Sequence, residues 1–341
     1  MERKTFIKQT ALFTASFFIT KDLFAKNKGP VYGHNGMQYQ MDANWGKLTQ
    51  EHPVNDCHEM VQDAQGRILL LTNETKNNVL IYNKSGKLLD SWGHEFPGAH
   101  GLTLASENDT EFLFITDTVK HQVYKTTMDG KILFTINTPL ETGVYTKTEQ
   151  FVPTEVAVDH TNGDFYIADG YGAQYITHYD KDGKLKSYFG GRGEGDEHLD
   201  NAHGICIDRR KKTPTLLVTD RTRNCFKRFT MDGKLLEVIK LPGACVCRPV
   251  IKGKHLYAAV LMSPDLKTPH TGFTTILDKH NKVVSNIGGT KPVYKDGVLQ
   301  PMSQAEKIFV HPHDVCVDDD ENLYVAQWAS GKVYPYKFTR V

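Results

Sequence analysis

Apolar and polar positions along this chain alternate in short runs, and the runs recur in a fixed order. A unit opens on a five-residue block, His followed by Gly, Asp or Glu and then by mostly apolar positions. The copies are His58-Glu-Met-Val-Gln, His100-Gly-Leu-Thr-Leu, His203-Gly-Ile-Cys-Ile and His313-Asp-Val-Cys-Val, and Thr154-Glu-Val-Ala-Val has the same form without the imidazole. A second apolar segment follows in each unit, at 67–73, 111–117, 164–170, 215–221, 255–260 and 322–328. A third, mixed segment then runs into a turn: Ser85-Gly-Lys, Asp129-Gly-Lys, Asp182-Gly-Lys, Asp232-Gly-Lys or His280-Asn-Lys. The pattern predicts short strands joined by hairpins, because Asp-Gly between apolar runs accepts the positive φ angles of a tight turn.

The turn positions 86, 130, 183, 233 and 281 lie 44, 53, 50 and 48 residues apart. A period of about 40–50 residues with four short strands per unit predicts an all-β, six-bladed β-propeller. The sixth unit stops after its third strand, at Phe338, and the stretch 36–46 reads like the fourth strands at 88–93 and 185–190. An N-terminal strand is therefore expected to close the ring and remove a sheet edge. The stretches 263–270 and 290–307 are expected to be loop insertions.

Composition narrows the setting. The chain has 341 residues, 39% hydrophobic and 24% charged, with a formal charge of +1. That balance offers no electrostatic argument for nucleic acid or an anionic membrane as a partner. Residues 1–25 read as an export signal: Arg3 and Lys4, then the apolar run from Ala11 to Ile19, then Ala25. The run is far short of the roughly 20 residues that span a bilayer. The start Arg3-Lys-Thr-Phe-Ile-Lys resembles a twin-arginine motif with Lys4 in the place of the second arginine, and no Cys follows to carry a lipid. The expected plan is an export signal at 1–25, a linker at 26–35 and the propeller at 36–341, in a monomeric, periplasmic or secreted bacterial protein. Six cysteines permit disulfides without demanding them. Cys206 and Cys316 read as small core residues, and Cys245-Val-Cys247 lacks the spacing of a zinc knuckle.

Repetition also carries the candidate chemistry. In a propeller the innermost strands line one channel and all begin on the same face. His100, His203 and His313 open units two, four and six, so their rings are expected about 120° apart around the axis. Three imidazoles with an open position form a catalytic-type zinc arrangement, and copper or iron also suit the ligand type. The competing explanation is a repeat-consensus filler, since His58 fills the same slot outside the alternate set. Tyr171 and Arg221 lie at the ends of second strands, near the channel mouth. A tyrosine there is a candidate acid or base if nearby cations lower its pKa from about 10, and Arg221 is suited to a carboxylate. The aspartates 117, 169 and 220 are expected to be structural.

The unit pattern resembles NHL repeats, and at these residues the chain resembles peptidyl-α-hydroxyglycine α-amidating lyases. The blocks that carry the likeness are Ala99-His-Gly-Leu with 116–125, 153–158 with Ile167-Ala-Asp-Gly-Tyr171, Ala202-His-Gly with Val218-Thr-Asp-Arg221, and Pro312-His-Asp-Val. The resemblance implies catalytic zinc on His100, His203 and His313, Tyr171 as the base, and Arg221 near the substrate carboxylate. It further implies structural calcium held by the Asp314 carboxylate and the carbonyls of Met60 and Leu102. The implied reaction cleaves a carbinolamide to a peptide amide and glyoxylate. The chain departs from the family at several points. No arginine matches near Asn73-Glu74, and His311 replaces a methionine, which adds a possible ligand. Gly172, Leu217 and Arg228 stand where the family has disulfide cysteines, and the chain has no room for the monooxygenase module that makes the family's substrate. Two other functions compete. One is a non-catalytic NHL-type propeller that binds a protein or glycan. The other is a sugar-lactone hydrolase, whose acidic and Asn ligands around calcium are not expected at the channel positions here.

Overall fold

Each repeat unit folds into one antiparallel sheet with its strands in chain order. The computed structural model describes residues 29–47 and 50–341, so the expected export signal lies outside the described residues. Blade one consists of Cys57–Gln62, Ile68–Thr72, Val79–Tyr82 and Leu88–Trp92, and blade two of Ala99–Glu107, Thr110–Asp117, Gln122–Thr127 and Ile132–Ile136. Blades three, four and five open on Glu155–Val158, Ile205–Asp208 and Val250–Lys252, and blade six on Pro312–Val317. The first strands of neighbouring blades pack on one another around the channel. The chain is an all-β, six-bladed propeller.

Blade six takes its fourth strand from the chain start. Met37–Asp42 pairs with Tyr336–Arg340 in the register Tyr39 to Arg340 and Met41 to Phe338. The expected closing strand is therefore present, but the expected linker at 26–35 is not wholly a linker. Val31–His34 forms a fifth strand on the same sheet through the turn Asn35-Gly36, whose φ angles are 51° and 77°. Ser285 Oγ of blade five accepts from the His34 amide at 2.7 Å, and the Asn35 side chain donates to the Val284 carbonyl at 2.8 Å. Residues 31–42 thus bridge blades six and five. The two insertions are loops, the second carrying a small hairpin of Tyr294–Lys295 with Val298–Leu299.

The core lies between blades. Trp45, Tyr82 and Tyr324 meet between blades six and one, with centroids 5.0 and 4.8 Å from the indole. Phe114, Phe165 and Tyr179 fill the next gap but one. Cys316 is buried, Cys206 is partly so, and all six cysteines are free. Among the described residues no helix is long and apolar enough to cross a membrane.

The repeated turns serve this packing. Gly86, Gly130, Gly183 and Gly233 have φ between 85° and 91°, and Asn281 has φ 62°. Trp45 covers Gly86, Trp92 covers Gly130 and Phe189 covers Gly233, so an aromatic ring of one blade's outer edge lies on the turn of the next. A Cβ at Gly130 would lie 2.5 Å from the Trp92 ring. Gly130→Ala therefore combines a disfavoured φ with a clash, and should cost about 1–3 kcal/mol in urea unfolding. Gly297→Ala, at φ 78° in open space, is the control, and an equal loss there would show that the ring contact contributes nothing.

Candidate functional site

The opening blocks supply two stacked levels of side chains to the channel. A strand sends successive side chains to opposite faces, so two consecutive residues reach one channel only where the ladder is irregular. The pairing shifts between Cys57 and Glu59, between Ala99 and Leu102, and between Pro312 and Asp314. These bulges fall at His58, at His100-Gly101 and at His313. Bulges of this kind re-aim side chains next to functional sites.

The first level comprises His58, His100, Thr154, His203, Cys247 and His313, none more than 5% exposed. The rings of His100, His203 and His313 lie 4.8–4.9 Å apart, centroid to centroid. His58 joins them at 4.8 Å from His100 and 4.9 Å from His313. Candidate ligand atoms of His58, His100 and His313 all lie within 4.8 Å of one another. The three expected rings thus come together with His58 as a fourth, but the ligand atoms that converge are those of His58, His100 and His313, with His203 adjoining by its ring. His311 does not join them: its Nε2 accepts from the His270 amide at 3.2 Å, and its ring packs against His270 and Trp328.

Second partners set the tautomers. His100 Nδ1 lies 2.9 Å from the Thr154 carbonyl, and His313 Nδ1 lies 3.0 Å from that of His58. A carbonyl only accepts, so both Nδ1 atoms carry the proton and both Nε2 lone pairs are bare. Burial holds all four imidazoles below their ordinary pKa, His58 down to about 3, so they are neutral near pH 7. The Nδ1 atoms of His58 and His203 are buried without a hydrogen-bond partner. Neutral imidazoles with unprotonated nitrogens, two of their Nδ1 atoms buried without any partner, are the ligand type that zinc takes. The residues fit that ion.

Tyr171 and Arg221 complete this level. The Tyr171 hydroxyl lies 3.1 Å from His100 Nε2 and 3.0 Å from His203 Nε2, and accepts from Arg221 Nη2 at 3.2 Å. Gly170 and Gly172 bracket the tyrosine because a Cβ at either would strike the backbone of Ala202 or Gln150. The Tyr171 side chain is 40% exposed, but its hydroxyl lies among His100, His203 and Arg221, where desolvation raises its pKa above the ordinary value and the guanidinium only partly opposes it. The expectation that cations hold this pKa low is therefore not met by the protein's own groups. Arg221 is 3% exposed, and its Nε has no partner. Beside the cluster a cavity of about 400 Å³ opens between Asn73, Pro97, Val119, Tyr171 and Trp328. The expected structural aspartates hold turns: Asp117 accepts from the amides of Gly98, Val119 and Lys120, Asp169 from Val152 and Ala173, and Asp220 from Asp200.

The second level comprises Glu59, Gly101, Glu155, Gly204, Arg248 and Asp314. Here the expectations need correction. Asp314 was expected on the axis, and Glu59 and Glu155, which were not, are fully buried there with it. The oxygens expected to hold calcium are bound instead by Arg248, which donates to Asp314, to the Met60 carbonyl and to the Leu102 carbonyl. The residues do not fit a calcium ion.

Comparison with known protein families finds no match. Individual proteins do match. Human NHL repeat-containing protein 3 is 25% identical over 234 residues, covering 60% of this chain and 67% of that protein. Peptidyl-alpha-hydroxyglycine alpha-amidating lyase 1 of Drosophila melanogaster is 36% identical over 110 residues, 31% of this chain. The matched part is 19% of the lyase's own length. Among solved structures, virginiamycin B lyase from Staphylococcus aureus matches with a TM-score of 0.55 at 15% identity, over 93% of this chain and 97% of that one. That last likeness is one of fold. The chain is a six-bladed propeller similar to NHL-repeat proteins and amidating lyases.

The buried imidazoles make metal-free stability depend on pH. Their folded pKa values lie below the unfolded value of about 6.5, so the unfolded chain binds more protons in acid and stability falls as pH drops from there toward about 3. Each such imidazole contributes a slope of about 1.4 kcal/mol per pH unit. Urea unfolding of the metal-stripped protein between pH 6 and pH 4 should therefore be about that much less steep for His58→Gln than for the wild type. An unchanged slope would mean that His58 is protonated in the folded state.

Proposed function

We propose that this chain is an exported, metal-dependent lyase that cleaves the carbinolamide C–N bond of a carboxyl-terminal α-hydroxyglycine, giving an amide and glyoxylate. One observation carries the proposal: His58, His100 and Tyr171 line one cavity, and the rings of His203 and His313 and the buried Arg221 guanidinium lie against them. The similarity to an amidating lyase points to the same chemistry.

His100, His203 and His313 would hold zinc, with His58 within reach as a further ligand. Bound there, zinc would act as a Lewis acid toward the substrate hydroxyl and lower the pKa of neighbouring hydroxyls. Arg221 has the fork geometry that binds a carboxylate and is buried where that charge is weakly screened. Tyr171 Oη is placed to accept the substrate's hydroxyl proton. As that oxygen becomes a carbonyl, the C–N electron pair leaves with nitrogen, and a proton returns to make the amide. With His203 committed to the ion, Arg221 Nη2, 3.2 Å from Tyr171 Oη, would orient that phenol. The basic and apolar run at 3–25 supports a bacterial periplasmic or extracellular location.

A second function has support of its own, because the human relative covered over 67% of its length is named for its repeats alone. On that basis the cavity would bind a partner without reaction. Metal analysis and product release separate the two. The zinc-loaded protein should release glyoxylate from a synthetic peptide ending in α-hydroxyglycine, and the metal-stripped protein should not. Tyr171→Phe should keep its zinc and lose about 10²–10⁴-fold in turnover, whereas His100→Ala should lose zinc. Equal glyoxylate release with and without metal would remove the lyase, and absence of bound zinc would favour the binding module.

A further inference from the structure

Three carboxyls buried at one level of a channel need a positive charge near them, since unpaired buried charge is strongly destabilising. Glu59, Glu155 and Asp314 come from blades one, three and six, and each is 0% exposed. Arg248 enters from blade five. Its Nε and Nη2 donate to the two oxygens of Asp314 at 3.0 and 2.7 Å. Nη1 donates to the Leu102 carbonyl of blade two and Nη2 to the Met60 carbonyl of blade one, both at 3.0 Å. Glu59 lies 3.3 Å from Nη1, and Glu155 lies 3.6 Å from Nε.

The neighbours make room for this side chain. A Cβ at Gly204 would lie 2.5 Å from Arg248 Cα, so glycine at that place in blade four lets the blade-five backbone approach. Burial works against the charge on Arg248, and Asp314, Glu59 and Glu155 more than offset it, so the guanidinium stays protonated. Glu59 moves the other way: burial raises its carboxyl well above the usual range despite Arg248.

A carboxylate and two backbone carbonyls, converging with no nitrogen or sulfur, are the oxygen set of a hard divalent cation. Such an ion needs its oxygens at about 2.3–2.6 Å, a space that the guanidinium already fills. We propose that Arg248 is a built-in replacement for an axial divalent cation. It ties blades one, two and six to blade five from within the chain and makes the propeller's stability independent of calcium. The guanidinium's residue also lines a second cavity of about 480 Å³, with Met60, Thr103, Val156 and Cys316. The assignment rests on the second level alone and survives any outcome at the imidazoles.

Thermal unfolding in EGTA and in millimolar calcium, with bound calcium measured in parallel, tests it. The wild type should show the same Tm in both buffers to within about 1 °C, because a ligand that does not bind the folded state does not shift its stability. Arg248→Ala should unfold several degrees lower in EGTA, by about 3–8 °C. It should recover part of that loss in calcium and less in magnesium, which dehydrates reluctantly. A wild type that binds one calcium and loses Tm in EGTA would overturn the assignment. So would an Arg248→Ala protein that folds as stably as the wild type, or one indifferent to calcium. Should Arg248→Ala not fold in either buffer, the wild-type arm decides alone: calcium dependence overturns the proposal and indifference bears it out.

Discussion

Ring closure is the constraint on which the site depends. Six sheets of similar size share one axis, so the same position of every repeat falls at the same depth in the channel. A single residue per repeat would give a single ring of side chains. The ladder irregularities at His58, His100-Gly101 and His313 let two consecutive residues address the axis and so produce two levels. Had the strands begun in regular register, every second residue would have turned into the space between blades. In blades one, two and six a local defect in hydrogen bonding aims the paired residues at the axis, and in blades three, four and five the first residue of each pair precedes the ladder.

The two levels solve opposite electrostatic problems. At the first, burial keeps the imidazoles neutral, and the fixed positive charge there, Arg221, stands to one side on Tyr171. Neutral nitrogens in a dry site repel no incoming cation, and they gain hydrogen bonds or ligands only by taking one up. At the second level the acids outnumber the bases, and Arg248 answers them from within the fold. Separating the two keeps carboxylates away from the lone pairs of His100 and His313, where they would favour protonation over metal binding. Gly101 and Gly204, which complete the second level in blades two and four, add no charge and leave space for the guanidinium.

Much of this was legible in the sequence, and the failures have physical causes. The Asp-Gly turns marked the blades because positive φ is demanded at each of them, and the outer-edge aromatics marked the fourth strands because each covers the next turn. The strand Val31–His34 was hidden by its length of four residues and by the lack of alternation in Val-Tyr-Gly-His, although Asn35-Gly36 is among the strongest two-residue hairpin signals. Arg248 was obscured by blade five, whose opening block carries Pro249 and whose first strand is only Val250–Lys252. The acids were in plain view as the second residues of the blocks at Glu59, Glu155 and Asp314. Three of them at one depth imply a cation; sequence spacing does not say whether the cation is a metal or a side chain.

Tyr171 joins the fold to the proposed chemistry through a competition. Its hydroxyl lies at hydrogen-bonding distance from two Nε2 atoms, one of them certainly bare, so without a metal the phenol proton is the partner those lone pairs have. Burial favours that protonated state, and Arg221 is too weak an opponent to reverse it. Any cation held by the imidazoles takes over the lone pairs and at the same time brings a positive charge beside the phenol oxygen. Both effects favour loss of the phenol's proton. On the proposed function, metal loading and activation of the base would therefore be one event, and a tyrosine with a raised pKa in the metal-free protein is compatible with its acting as a base in the loaded one.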